Sequence, residues 1–112
     1  MNCFEVASSI LEKAKQYDVD NIEFNGFDEC IGNNSKTNEW KALPSVFFSK
    51  EEFNSFVKIL SKECDSYRNG DCSIIKKYVK VQNYILVFIR KESVVLNNLG
   101  KDLLHIRAVK QI

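Results

Sequence analysis

The chain has 112 residues, of which 45% are hydrophobic and 28% charged, with a formal net charge of +1. This length and composition are typical of a globular protein, and we expect residues 1–112 to form one domain. No apolar run is long enough for a transmembrane helix, and charged residues interrupt the N-terminal apolar pattern, so the sequence predicts neither membrane insertion nor export. The four cysteines are therefore expected to be reduced thiols in the cytoplasm.

Charge is unevenly distributed along the chain. Residues 1–65 carry 12 acidic and 7 basic side chains, whereas residues 66–112 carry 3 acidic and 9 basic ones. Such an asymmetry can indicate a charged partner, but the field averages out if the two halves interleave in the fold. The sequence leaves both alternatives open.

The N-terminal segment is predicted to be a helix followed by a hairpin. Asn2 is a favourable N-cap, and the apolar residues after it recur at helical spacing. This stripe consists of Phe4, Ala7, Ile10, Leu11, Ala14 and Tyr17. Residues 21–24 alternate as a short strand, and the Asn-Gly pair after them predicts a turn that pairs the strand with residues 27–31. Residues 32–38 are predicted to be a surface loop, after which residues 39–43 return as a strand.

The clearest predicted element is a helix from Ser49 to Cys64. Ser49 and Glu52 have the spacing of a capping box, in which the serine side chain accepts a hydrogen bond from the first turn. Phe48 and Phe53 have the spacing of a hydrophobic staple across the helix start. The helix has one apolar stripe, which needs a sheet to bury against. This stripe consists of Phe53, Phe56, Val57, Leu60 and Cys64.

The C-terminal third is predicted to be a β-meander. Residues 72–81 alternate, with three apolar side chains on one face and Lys76, Tyr78 and Lys80 on the other. Residues 84–89 are apolar on both faces, which is expected of a central strand that is covered on both sides or belongs to a closed sheet.

Further short elements complete the meander. Residues 94–96 predict a short strand, residues 97–100 a turn and residues 103–109 the last strand. The predicted fold class is α+β, with two main helices packed on a mostly antiparallel sheet that ends in this meander.

No reactive constellation is visible, so we expect no enzymatic activity, no cofactor and no metal site. The only histidine, His105, lies in an alternating strand and is expected to be solvated or hydrogen-bonded there. The four glycines form no phosphate-binding motif, and no Cys-x-x-Cys pair occurs. Lys76, Tyr78 and Lys80 have the pattern of a nucleic-acid stacking surface, but Lys77 should point away from them, and the sequence favours an ordinary solvated strand face.

Protein binding has the best local indication. Trp40 is the only tryptophan, and tryptophan is enriched at interface hot spots, although Trp40 can equally fill the core beside Leu43. Asp28 and Glu29 are the one carboxylate pair without an evident local structural role. The predicted partner-binding residues are Asp28, Glu29, Asn33, Asn34, Glu39 and Trp40.

One resemblance concerns the order of the elements. The predicted order resembles that of the PAS-like N-terminal domain of type II/IV secretion and pilus-retraction ATPases. It consists of a helix, the V-D-N-I-E-F strand, glycine-bearing strands, the L-P-S-V-F-F-S-K-E-E helix and strands ending in L-H-I-R-A-V. Residues 19–22 stand where that family often has Ser-Asp-Ile, and its Arg-rich strand is replaced by residues 84–89. The resemblance implies an assembly domain, with the ATPase core expected after Ile112.

A second resemblance is one of type. A small, Asn/Lys/Ile-rich, unexported domain without catalytic motifs is similar to bacterial immunity proteins encoded beside contact-dependent or polymorphic toxins. This resemblance implies a protein partner, a cognate toxin whose active site is blocked, and the acidic first half is suited to a basic nuclease. Our leading hypothesis is therefore a non-enzymatic, cytoplasmic immunity protein; the alternatives are an assembly domain of a secretion ATPase and a small nucleic-acid-binding domain.

Overall fold

The computed structural model describes residues 2–70, 72–93 and 103–111, and within these ranges the chain forms two helices and seven strands. In chain order these are α1 (Cys3–Tyr17), β1 (Asn21–Asn25), β2 (Cys30–Asn34), β3 (Glu39–Ala42), α2 (Lys50–Glu63), β4 (Ser66–Arg68), β5 (Ser73–Val81), β6 (Tyr84–Glu92) and β7 (Leu103–Lys110). The strands form one antiparallel sheet in the order β3-β2-β1-β7-β6-β5-β4. This confirms the predicted α+β fold, and β4 to β7 form the C-terminal meander.

Within the sheet, the strands of the two halves of the chain form two separate groups. Strands β1–β3 come from the acidic half and strands β4–β7 from the basic half, and they meet where β7 pairs with β1. At this junction Ile22 lies opposite Ile106, which in turn lies opposite Phe88 on β6. The strands of the two halves therefore do not interleave, and the charge asymmetry persists along the sheet, although both helices of the acidic half pack against β5 of the basic half.

The start of α2 confirms the predicted cap and corrects the predicted staple. Ser49 Oγ accepts a hydrogen bond from Glu52 N at 3.1 Å. Phe48, however, is 92% exposed and makes no staple, whereas Phe47 is buried. Phe47 rather than Phe48 faces the core, where its ring centroid lies 5.2 Å from that of Phe53.

The buried stripe of α1 agrees with the predicted one at Ala7, Ile10, Leu11 and Ala14 and differs from it in the first turn. Asn2 caps the helix as expected, since its Oδ1 accepts from Glu5 N at 2.8 Å. Cys3 and Val6 are buried, whereas Phe4 is 57% exposed. The 3-4 spacing of the core side chains starts at Cys3, and this places Phe4 on the flank of the helix.

Strand β2 extends into the segment predicted to be a loop. Gly32, Asn33 and Asn34 belong to β2, so the loop prediction for residues 32–38 is wrong at its first three positions. The short strand β4 was not predicted. The strand predicted at residues 94–96 and the turn at 97–100 lie outside the described residues.

Within the described part of the chain, helices cover one face of the apolar strand β6. Leu86 and Phe88 are buried on the helix side, where the Phe88 ring lies 5.6 Å from that of Phe56 on α2. Ile85, Val87 and Ile89 point to the other side and are partly exposed. Among the described residues no helix or strand covers this second face, and the sheet they form is open, so these residues give β6 neither the double cover nor the closed sheet that its composition predicted as alternatives.

Candidate binding surfaces on the open face of the sheet

The face of the sheet opposite α1 and α2, which we call the open face, carries the candidate functional residues. The strand register arranges its side chains in rows that cross all the main strands. One row consists of Trp40, Asn33, Asn21, Arg107, Val87 and Tyr78. The next consists of Ala42, Ile31, Glu23, His105, Ile89 and Lys76. Each row runs from the acidic half of the chain to the basic half.

Trp40 lies at one end of this face, on the edge strand β3. Its side chain is 57% exposed, so of the two sequence alternatives the structure selects the surface position over the core position. Ile31, on the neighbouring strand and the same face, is 37% exposed. Leu43, the expected core neighbour of Trp40, is itself buried. Trp40 and Ile31 together form an exposed apolar surface at the edge of the sheet.

The structure places the six predicted partner-binding residues in two groups. Four of them, Asn33, Asn34, Glu39 and Trp40, lie together at the β2–β3 turn. Asp28 and Glu29 are exposed in the β1–β2 turn, at the opposite end of β2, about 13 Å away along a five-residue strand. Glu39 precedes Trp40 in the strand and therefore points to the opposite face.

Asn33 and Asn34 support the hairpin through hydrogen bonds of their side-chain amides. Asn33 is 9% exposed, and its Nδ2 donates to the Glu39 carbonyl at 3.2 Å. Asn34 Oδ1 accepts from Lys36 N at 2.9 Å, and its Nδ2 donates to the Asp18 carbonyl at 2.9 Å. Both amides therefore contribute to the rigidity of the turn beside Trp40.

Asp20 fastens the same turn from the loop that follows α1. Its Oδ1 accepts from Ser35 N at 2.9 Å, and its Oδ2 accepts from Ser35 Oγ. Burial acts to raise the pKa of Asp20, but the hydrogen bonds from Ser35 and Asn21 outweigh it and hold the pKa below the usual value. The β2–β3 hairpin is thus tied to the body of the protein at neutral pH.

The opposite end of the open face is basic. We define the basic surface as Arg68, Lys76, Tyr78, Lys80, Lys91 and Arg107, which the register places on one side of β4–β7. Within the described strands the only carboxylate on the open face is Glu23, on β1. Lys77 points to the helix side as expected, where its Nζ lies 3.4 Å from Asp65 Oδ1. Sequence reasoning found Lys76, Tyr78 and Lys80 but missed the cations of the other strands, because only the strand order brings them together.

His105 lies between the two ends of the open face. Its Nε2 is 3.0 Å from Asn21 Oδ1, and Glu23 is its cross-strand neighbour. Burial lowers the pKa of His105; Glu23 acts to raise it, and Arg107 and Lys91 lower it further. These contacts assign His105 to a hydrogen-bonded position in the sheet, as the sequence led us to expect.

The depressed pKa of His105 predicts a pH-dependent stability. In the unfolded chain the histidine has its reference pKa of about 6.5, whereas in the folded protein its pKa is lower. As the pH falls, the unfolded state therefore binds more protons than the folded state does. The contribution of His105 to the free energy of unfolding is complete above the reference pKa of about 6.5 and decreases as the pH falls towards the pKa of the folded state. We expect His105→Gln, whose amide can still donate to Asn21, to show a smaller loss of unfolding free energy between pH 7.5 and 5.5 in urea titrations. An identical loss in both proteins would contradict the assignment.

Two cysteines serve as core packing groups. Burial raises the pKa of the Cys30 thiol to about 12. Burial also raises the pKa of Cys3, with Glu63 adding to the shift. Neither thiol is ionised at neutral pH, so neither is an activated nucleophile.

Over the described part of the chain, no three His, Cys, Asp or Glu side chains lie together as metal ligands do. None of the described helices combines the length and the apolar character needed to span a membrane. Comparison with protein-family models, with curated proteins and with solved structures finds no match. The fold defines an α+β domain with helices on one face of its sheet, and the candidate functional features are the two ends of the open face.

Proposed function

We propose that this chain is a non-enzymatic binding protein that contacts a partner protein through the β2–β3 hairpin, with Trp40 as the anchor. The observation that carries the proposal is a 57% exposed tryptophan on a hairpin whose turn is held by internal hydrogen bonds. Tryptophan supplies a large apolar area and is enriched among residues that dominate binding energy. Because the turn is already ordered, little conformational entropy is lost when it binds.

The surroundings of Trp40 match the anatomy of a protein interface. Ile31 and Ala42 extend the apolar surface on the same face. The carboxylates Asp28 and Glu29 lie about 13 Å from the turn, which is within the span of a standard interface of about 800 Å² per partner. At the rim, such charges chiefly change the association rate and its salt dependence.

Within this class, we propose a cytoplasmic immunity protein that neutralises a cognate toxin. The anchor lies on a strand from the acidic half of the chain, with Glu39 next to it in sequence on the opposite face and Asp28 and Glu29 at the other end of β2. A basic toxin, such as a nuclease, would be attracted to these carboxylates. The hairpin then needs only to cover the active site of the toxin.

The test uses the toxin encoded beside the gene of this protein. We expect stoichiometric addition of the protein to abolish toxin activity, and Trp40→Ala to weaken inhibition by about 30-fold or more, as for a hot-spot residue. Trp40 is the only tryptophan, so a blue shift of its fluorescence on mixing would report contact at this site. The matched control is Phe48→Ala, which removes a 92% exposed aromatic at the start of α2 and should leave inhibition unchanged.

Two results would contradict the immunity proposal. One is full toxin activity at a stoichiometric excess of the protein. The other is inhibition that Trp40→Ala and Phe48→Ala weaken equally, which would exclude the hairpin as the contact.

The second candidate function is an assembly domain of a secretion ATPase. It is supported by the order of the observed elements: α1, β1, the glycine-bearing β2, α2 and the strands that end in β7 follow the order on which the resemblance depends. In this case the partner of the hairpin is another domain or subunit of the ATPase. The coding sequence beyond Ile112 distinguishes the candidates, since a G-x-x-x-x-G-K-[ST] motif there supports the ATPase and a stop codon contradicts it.

A further inference from the structure

We propose that the basic surface of β4–β7 binds single-stranded nucleic acid, a function separate from protein contact at Trp40. Five of its six residues are cations, and the described strands contribute one carboxylate, Glu23, to the whole open face. No described residue forms an ion pair with these five cations; the two described ion pairs, of Lys77 and Arg90, lie on the helix side. The cations are therefore available to an anionic partner.

Tyr78 is at the centre of this arrangement. Its ring is 50% exposed, and Lys76 and Lys80 flank it on the same face of β5, each about 7 Å away along the strand. Across the sheet, Val87 lies next to Tyr78, and Arg107 follows about 10 Å away. An exposed aromatic ring is thus surrounded by positive charge on three sides.

The position of Tyr78 is fixed by the edge of the sheet. Strand β4 stops pairing before it reaches Tyr78, and Asp65 Oδ2 accepts the free Tyr78 N–H at 2.7 Å. This hydrogen bond, with the charge of Lys77, lowers the pKa of Asp65 below its usual value. Ile85, Val87 and Ile89 supply an apolar floor beside the ring. The platform therefore exists before any ligand binds.

Single-stranded nucleic acid satisfies both features of the platform. Each nucleotide brings a phosphate for the cations and a base for the aromatic ring, which is how sheet surfaces bind unpaired strands. An acidic protein or an anionic membrane neutralises the cations but supplies no series of flat rings. A duplex keeps its bases stacked inside and can contact the cations alone.

The test measures binding of a fluorescently labelled 20-nucleotide oligothymidylate by anisotropy. If three to five cations contact phosphates, the dissociation constant should rise about 20- to 130-fold between 50 and 200 mM salt. Tyr78→Ala should weaken binding about 5- to 150-fold, the range for loss of one stacked base, and Tyr78→Phe should retain it. The double change Lys76→Gln/Lys80→Gln should reduce the salt slope by about 1.4.

Matched controls are available elsewhere on the chain. Tyr67→Ala removes a 57% exposed tyrosine on the other face, and Lys50→Gln/Lys58→Gln removes two exposed lysines of α2; neither should change binding. Trp40→Ala should also leave binding unchanged, since Trp40 lies five strands, about 24 Å, from Tyr78. Tyr78→Ala should likewise leave toxin inhibition intact, which keeps the two proposals separable.

Three outcomes would overturn the proposal, provided that the variants unfold at the same denaturant concentration as the parent. The first is no binding at 50 mM salt. The second is equal weakening by Tyr78→Ala and Tyr67→Ala. The third is a preference for polyglutamate or for vesicles containing phosphatidylglycerol over the oligonucleotide, which would assign the basic surface to an acidic protein or a membrane.

Discussion

Replacing Phe47 by alanine is expected to lower the free energy of unfolding by about 3–5 kcal/mol, the usual cost of truncating a buried phenylalanine. Phe47 is 4% exposed and lies where the sheet meets α2. Its ring centroid is 5.2 Å from that of Phe24 on β1, 5.2 Å from that of Phe53 and 5.5 Å from that of Phe56. Truncation leaves a cavity bordered by three rings that α2 and β1 hold in place.

The neighbouring residue provides the control for this experiment. Phe48→Ala removes the same side chain at a position that is 92% exposed, and its effect should stay within about 0.5 kcal/mol. Urea-induced unfolding of the two variants, followed by circular dichroism, measures both values. Comparable losses would mean that Phe48 packs on α2 as the staple predicted by the sequence, and would contradict the observed exposure.

The pair Phe47 and Phe48 also shows where sequence patterns lose accuracy. The cap at Ser49 depends on atoms within one turn of helix, and it was predicted correctly. The choice between two adjacent phenylalanines depends on which of them the segment between β3 and α2 turns towards the sheet. That choice is made by tertiary packing, which no local spacing encodes.

The basic surface likewise has one part that local spacing predicts and another part that depends on tertiary structure. Alternation placed Lys76, Tyr78 and Lys80 on one face of β5, and the structure agrees. Arg107 joins them only because β7 inserts between β1 and β6, a pairing between residues far apart in sequence. The sequence therefore indicated a strand with a basic face, whereas the basic surface as a whole depends on strand order.

At the other end of the sheet, the polar residues of β2 led to the prediction of a loop where the structure has a strand. Asn33 and Asn34 are typical of turns, yet their amides hydrogen-bond to the Glu39 and Asp18 carbonyls and so stabilise a strand and its hairpin. The exposure of Trp40 was likewise open from the sequence, because tryptophan occurs in cores and at interfaces. Trp40 is exposed because it lies on an edge strand and faces away from the helices.

Gly32→Ala is expected to lower the free energy of unfolding by about 1–3 kcal/mol, the range for overpacking a close-packed interior. A Cβ at this position would lie 2.7 Å from Leu43 Cδ1 and 3.0 Å from Val19 Cγ2. Both neighbours are buried, and the β-branched Val19 has little rotamer freedom to move aside. Gly32 pairs with Lys41 next to Trp40, so the strain falls on the hairpin that carries the proposed protein contact.

Two further variants make the Gly32 experiment decisive. Gly70→Ala adds the same methyl group where, apart from the adjacent residues, no atom of the described chain lies within 4 Å, so it should not destabilise the protein. Leu43→Val removes the Cδ1 atom that meets the new Cβ, so the double variant Gly32→Ala/Leu43→Val should be more stable than the sum of the single losses predicts. Additive losses, or equal effects at Gly32 and Gly70, would show that β2 does not pack against Leu43 as closely as the structure shows. If the double variant is more stable than the sum of the single losses predicts, Gly32 and Leu43 are in direct contact, and this contact belongs to the packing of the hairpin that carries Trp40.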